Sequence, residues 1–291
     1  MQQAKSLVGE LDLTADPKLS DEVVLGIFTS LVRLESFAAA ERVLENSEDG
    51  PARKTVARGE EAALAGALAA ARPEDALFPS DVDSAIALAR GASMTEVATR
   101  TVAWKKCKVT PPSWHNGAHL THAAGYAWAA KMRHEDVAAI AFSPENVLET
   151  GEVHNALNFA GVFKLPVIFV IRASATATAE LRGRAQEYGI NVMLTDGGDP
   201  IATCKSVREA RARATSGGGA TMIAALIDPN EKRDAASLLR RHLENGKIAT
   251  REQIEKIIED GMRQAAASFD GASPQAGHAD NLIDNVFATP T

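Results

Sequence analysis

Three histidines, His115, His119 and His122, follow one another at spacings of four and three, within ~60° of one face of a helix that starts early enough to hold them all. Imidazoles so grouped can ligate a metal or act as an acid–base cluster, because their charge changes near neutral pH. Asn116-Gly117 reads as a turn, which would put His115 off the helix, and no carboxylate or cysteine partner stands with them. The trio is therefore kept as a catalytic candidate, with no metal expected. Cys107 sits among Lys105, Lys106 and Lys108, a setting that lowers a thiol pKa. It lacks a histidine or aspartate motif, and a solvated basic stretch is the plainer reading. Gly217 to Gly219 lacks the trailing Lys-Ser/Thr of a phosphate loop and reads as a turn into a strand. Arg240, Arg241 and Arg251 read as a solvated helix face that could meet a partner's acids.

The elements that must position these residues alternate. Ser20 offers an N-cap, and Ile27, Leu31, Leu34 and Ala38 follow helical spacing after Asp21. Alanine-rich helices are predicted over 60–71 and 118–132. From there the pattern predicts a strand at 137–142, a helix at 151–163, a strand at 167–171, a helix at 177–188, and strands at 190–194 and 221–227. Such alternation implies an α/β fold, a doubly wound and mostly parallel sheet flanked by helices. A helix at 235–243 stops at Asn245-Gly246, and Thr250 with Gln253 makes a capping box for another. The expected organisation is an arm at 1–20, the α/β domain at 21–233, C-terminal helices at 234–269 and a tail at 270–291.

A chain of 291 residues with 45% hydrophobic content can bury a large core. Its formal charge of -7 argues against nucleic-acid and anionic-membrane partners, which need a basic footprint. Cys107 and Cys204, its two cysteines, stand outside any close-paired motif, which points to a reducing compartment, by default the cytoplasm. No apolar stretch is expected to reach the ~18 residues of a membrane span.

Two ungapped words carry a resemblance. They are FPSDVDSAIALARG at 78–91 and the stretch 142–174, which contains NALNFAGVFKLPVIFVI; a weaker third is GGGATMIAALI from Gly217. Over roughly 22–266 the chain resembles the alpha subunit of the thiamine-diphosphate-dependent decarboxylating component of 2-oxo acid dehydrogenase complexes, of the pyruvate, branched-chain and acetoin types. The resemblance implies a transketolase-like, thiamine-diphosphate-binding fold. It also implies a beta-type partner chain in a two-plus-two (α2β2) heterotetramer.

The resemblance breaks where the family grips its cofactor. Where it carries a Tyr-Arg pair for the diphosphate, this chain has Asp81 and Val82; where it has Gly-Asp-Gly, with an aspartate on magnesium, this chain has Pro144, Glu145 and Asn146. Paired asparagines become Ala173 and Ser174. Proline removes an N–H, and glutamate is one methylene longer than the family's aspartate. Asp81 is expected merely to cap the helix running to Arg90. The segment between Trp104 and Gly117 is shorter than the family's glycine-rich one, and DPNEKRDAA after Ile227 replaces a histidine- and serine-bearing loop. These losses imply a degenerate, non-catalytic alpha-type subunit without a bound cofactor, whose small-residue faces (Ala123, Ala124, Gly125, Ala127 and Ala129; Ala156 and Ala160) suit burial against a partner. The alternative is an active thiamine-diphosphate-dependent subunit for 2-oxo acid decarboxylation or acyl/ketol transfer. Its rebuilt site would hold magnesium through Glu145 and Ser174.

Overall fold

The computed structural model describes residues 19–45, 59–112, 115–228 and 234–270. Five parallel strands form one sheet: β1 (Ala76–Phe78), β2 (Ala139–Pro144), β3 (Val167–Ser174), β4 (Asn191–Asp196) and β5 (Thr221–Ile227), in the order β1-β2-β3-β5-β4. β3 lies in the middle, and every residue but its last is buried. That is the environment a continuous apolar run needs when helices cover both faces of a parallel sheet.

Side-chain alternation divides the core in two. Ile140, Phe142, Ile168, Val170 and Ile223 point to the layer built by α1 (Asp21–Glu45), α2 (Glu61–Ala70), α8 (Pro200–Arg213), α9 (Ala235–Asn245) and α10 (Arg251–Phe269). Ala139, Ala141, Phe169, Ile171 and Met222 point to the opposite layer of α5 (Ala118–Met132), α6 (Gly151–Val162) and α7 (Thr178–Glu187). Short helices α3 (Met94–Thr99) and α4 (Trp104–Cys107) lie between β1 and α5. α2 and α8 approach closely at Gly66, where a Cβ would stand 2.1 Å from the Pro200 carbonyl oxygen.

The α/β fold with a parallel sheet is as expected, and most elements fall within a few residues of their predicted bounds. Four were not anticipated, β1, α8 and the short α3 and α4. β1 is too short for a period to show. α8 carries a helix-start signal the periodicity reading passed over: Asp199 accepts from the Ile201 and Ala202 amides at 2.8 and 3.1 Å, with Pro200 in the first turn. The capping box of α10 forms as expected, through Gln253 N to Thr250 Oγ1 at 3.2 Å and Thr250 N to Gln253 Oε1 at 2.9 Å.

Two expectations are corrected and an open one is decided. α1 is, over Asp21–Val43, long and apolar enough to cross a membrane by length and composition; here Ile27, Phe28, Leu31 and Phe37 are fully buried in the protein's own core. The small-residue faces suit a partner or an ordinary core equally, with exposure as the discriminating sign, and Ala123, Ala124, Ala127, Ala156 and Ala160 are covered by the chain itself, while Gly125 is exposed and Ala129 half-buried. The second correction concerns Cys107, whose thiol is pushed up by burial and by Glu96, against the pull of Lys106 and Arg90. The arm before residue 19 and the tail after 270 lie outside the described residues, as does most of the segment following β5.

Candidate functional site at the carboxyl ends of the strands

Because β1, β2 and β3 are parallel neighbours, the three words that follow or end them emerge at one edge of the sheet. Open α/β sheets bind ligands at this edge. Asp81 and Val82 lie in the turn after β1, Pro144 ends β2, Glu145 and Asn146 begin a 3-10 turn, and Ala173 and Ser174 end β3.

The chain's own groups occupy one another there. One Glu145 carboxylate oxygen accepts from Ser174 N at 2.9 Å, strapping the end of β2 to that of β3. The Ser174 hydroxyl lies 2.7 Å from that of Thr176. Pro144, at φ -73° and ψ 159°, offers no amide donor to this edge. An open cleft of about 350 Å³ lies over the two strand ends, lined among others by Glu145, Asn146, Glu149, Ser174, Thr176 and Glu180. Three carboxylates line it; Glu180 is paired with Arg184, whose guanidinium also donates to the Leu148 carbonyl, so the surplus negative charge of the cleft comes from Glu145 and Glu149.

Beneath this rim lies a buried ion network whose members were not anticipated. Arg172 is fully buried in β3. Its Nε donates to Glu60 at 2.7 Å, and its Nη2 lies 2.9 Å from Asp83 Oδ1 and 3.1 Å from Oδ2. Burial pulls the guanidinium pKa down, but Asp83 and Glu60 more than compensate and hold it above the ordinary arginine value. The Ser80 hydroxyl donates to Asp83 at 2.6 Å. Arg172 Nη1 and His119 Nε2 are buried without a partner, and Asp83 Oδ1, though near Nη2, makes no well-directed hydrogen bond. A legible signal existed: Arg172 is a lone charge closing the otherwise apolar VIFVI run, and such a charge is buried only with partners. Asp81 does not cap the following element as expected. That 3-10 segment, Ser84–Arg90, starts after Asp83, whose carboxylate serves Arg172 instead.

The histidines do not converge. Helix α5 begins at Ala118 after Gly117 at φ 83°, so His115 falls in the preceding turn, exposed, and His122 faces outward. His119 alone points inward, 2% exposed, and burial pushes it down to about 4 although Asp83 and a hydrogen bond to the Phe142 backbone act in the other direction. It is a neutral imidazole at neutral pH. Among the described residues no group of three His, Cys, Asp or Glu side chains is placed to hold a metal. His154 is exposed on α6 and bonds the Tyr188 hydroxyl. Arg240 and Arg251 are engaged within the chain by Glu255, at 3.2 and 2.8 Å.

Comparison with known proteins agrees with this fold. Residues 30–228 match the family model described as dehydrogenase E1 component. The chain is similar to the 3-methyl-2-oxobutanoate dehydrogenase subunit alpha of Mycobacterium tuberculosis, 32% identical over 81% of this chain and 71% of that one. It is 29% identical to the chloroplastic pyruvate dehydrogenase E1 component subunit alpha-3 of Arabidopsis thaliana, over 60% of this chain and 49% of the relative. With the pyruvate dehydrogenase E1 component subunit alpha of Bacillus cereus it shares 30% identity, over 55% and 52%. By these matches the chain belongs to the dehydrogenase E1 component family and is of the alpha-subunit type.

Proposed function

We propose that this chain is a degenerate, non-catalytic alpha-type subunit that pairs with a beta-type chain in a 2-oxo acid dehydrogenase-like assembly. The observation that carries the reading is the acidic strand-end cleft, where Glu145 is already committed to Ser174 N. Thiamine diphosphate, the family's cofactor by the resemblance, brings a polyanionic diphosphate, and the residues present do not fit it. Each unit charge held ~4 Å from a carboxylate is repelled by about 4 kcal/mol at an effective dielectric near 20. Glu145 and Glu149 supply such charges and Arg184 is engaged by Glu180, whereas Arg172 is fully buried and held by Glu60 and Asp83. A magnesium ion could offset part of this repulsion only with well-directed oxygen ligands. The Ser174 hydroxyl pairs with Thr176 and one Glu145 oxygen with the Ser174 amide, which fixes both side chains and leaves the second Glu145 oxygen as the ready ligand, too few for a near-octahedral ion.

The pairing reading is supported by the outer faces of α5 and α6. Met132, Val162 and Phe163 are 53%, 66% and 40% exposed, and the Phe163 ring packs with those of Trp128 and Phe159. A contiguous apolar face of this kind marks an interaction surface. The proposed assembly is the α2β2 heterotetramer.

Co-expression with a beta-type chain, followed by light scattering and an assay of pyruvate and branched-chain 2-oxo acid decarboxylation, tests the reading. A stable two-plus-two complex that gives no turnover with thiamine diphosphate and magnesium is the expected result. Turnover that disappears in Glu145→Ala would instead establish a rebuilt active site.

A further inference from the structure

Arg172 joins parts of the chain that are remote in sequence. Glu60, just before α2, is 112 positions away, and Asp83, just before the Ser84–Arg90 segment, is 89 away. Neither carboxylate belongs to a strand, so both segments are tied to the middle of the sheet through one guanidinium. The tie is charge-assisted on both sides, at 2.7 to 3.1 Å, and such bonds are among the stronger ones in proteins. Asp83 is fully buried and the Glu60 side chain is 19% exposed, so water competes little with either.

Segments at the carboxyl edge of an α/β sheet commonly take their final order from a ligand. Here the turn at 79–83 is fixed by the chain alone. Ser80 donates to Asp83, and Asp83 receives Arg172. The triad sets two carboxylates against one cation, beside His119. Nε and Nη2 are taken by Glu60 and Asp83, and the remaining Nη1 is buried, so the guanidinium is closed to a ligand in the cleft.

We propose that the Arg172–Glu60–Asp83 triad is a built-in closure of the layer beneath the open strand-end cleft, fastening the 59–61 and 79–90 segments to β3 in the place of a bound ligand. The proposal rests on the non-catalytic reading above and deepens it: this layer is set without a ligand rather than waiting for one. Arg172 is a positioning residue in this account, and its unpartnered Nη1 is what remains when one guanidinium serves two fixed carboxylates.

Hydrogen–deuterium exchange on the full chain tests it. In Arg172→Met, amide exchange across 79–90 is expected to rise by about tenfold or more, as local opening becomes easier, while exchange at 136–141 stays as in the wild type. Glu60→Gln, which keeps the arginine and one carboxylate, is the milder variant should Arg172→Met fail to fold; a rise confined to 59–64 is expected. Wild-type exchange at these segments in both variants, or in Glu60→Gln alone if only it folds, would overturn the closure. So would a fall in wild-type exchange at 79–90 on adding thiamine diphosphate with magnesium, since the segment would then not be fastened beforehand. Calorimetric binding of that pair, with 79–90 unmoved by it and loosened in Arg172→Met, would defeat the non-catalytic reading alone and leave the closure standing.

Discussion

The two ends of the sheet each bury an arginine against an aspartate, and they differ in how fully the polar atoms are satisfied. At the amino end, Asp75 accepts from Arg211 Nε and Nη2 at 2.8 and 3.0 Å, from Ala138 N at 2.9 Å and from Arg72 N at 2.8 Å. Arg211 also donates to the Asp136 carbonyl at 3.1 Å, and no buried atom of this group lacks a partner. At the carboxyl end, Arg172 Nη1, His119 Nε2 and one Asp83 oxygen go without a hydrogen bond. Buried polar atoms are normally paired, because an unpaired one costs about 1–3 kcal/mol. The amino end thus has the geometry of a staple serving stability. The carboxyl end tolerates incomplete pairing at the edge where open α/β sheets bind ligands.

The largest test of this contrast is Asp75→Ala. It strands Arg211 and two backbone amides, and a loss of about 3–5 kcal/mol in urea unfolding is expected for breaking a buried pair. Arg172→Met should cost less, about 3 kcal/mol at the lower edge of that range, because Glu60 can turn toward solvent. If Arg172→Met proved the costlier, the assignment of stability to the amino end would be wrong.

A pH titration sharpens the contrast, since His119 marks the carboxyl end. Its folded pKa, about 4, lies below its ordinary 6.5, so the unfolded chain binds the proton first. The stability it contributes is complete above pH 6.5 and falls as pH drops toward 4, by about 2–3 kcal/mol at pH 4.5. Glu35 on α1 works in the opposite sense. Burial first, then Glu61 and Asp234, raise it from 4.5 to about 7. Its contribution is complete below pH 4.5 and lost as pH rises toward 7, by about 2–3 kcal/mol at pH 6.5. The wild type should therefore show a shallow slope between pH 4.5 and 6.5. His119→Leu should gain stability on acidification across that window, and Glu35→Gln should lose it more steeply than the wild type. Parallel curves for all three proteins would remove the buried-imidazole account. The smallest effect expected is that of Phe163→Ser: less than about 1 kcal/mol on the stability of the chain, as for an exposed position, but a weaker complex with a beta-type chain by sedimentation.

Much of this was legible before any coordinates. The apolar run VIFVI could only be a central parallel strand, and the helix and strand periods placed α5, α6, β3 and β5 closely. The words at the strand ends brought Asp81, Glu145 and Ser174 to one edge because parallel topology leaves them nowhere else to go. What the residues did not disclose was pairing across long separations. That Asp83, rather than Asp81, turns inward depends on the register of a 3-10 segment, and Glu60 reaches Arg172 only after two layers have packed. The divergence of the histidines was half legible: the Asn116-Gly117 turn puts His115 before α5, as its residues indicate, whereas only packing buries His119 and leaves His122 outside. The thiol of Cys107 fails for a tertiary reason: burial outweighs the neighbouring lysines.

The most direct measurement is calorimetric titration of thiamine diphosphate with magnesium into the chain in complex with a beta-type partner. No binding attributable to the site at Glu145 and Ser174, in a complex that stays assembled, is the result this account predicts. Saturable, magnesium-dependent binding at one site per alpha–beta pair, abolished by Glu145→Ala, would contradict it.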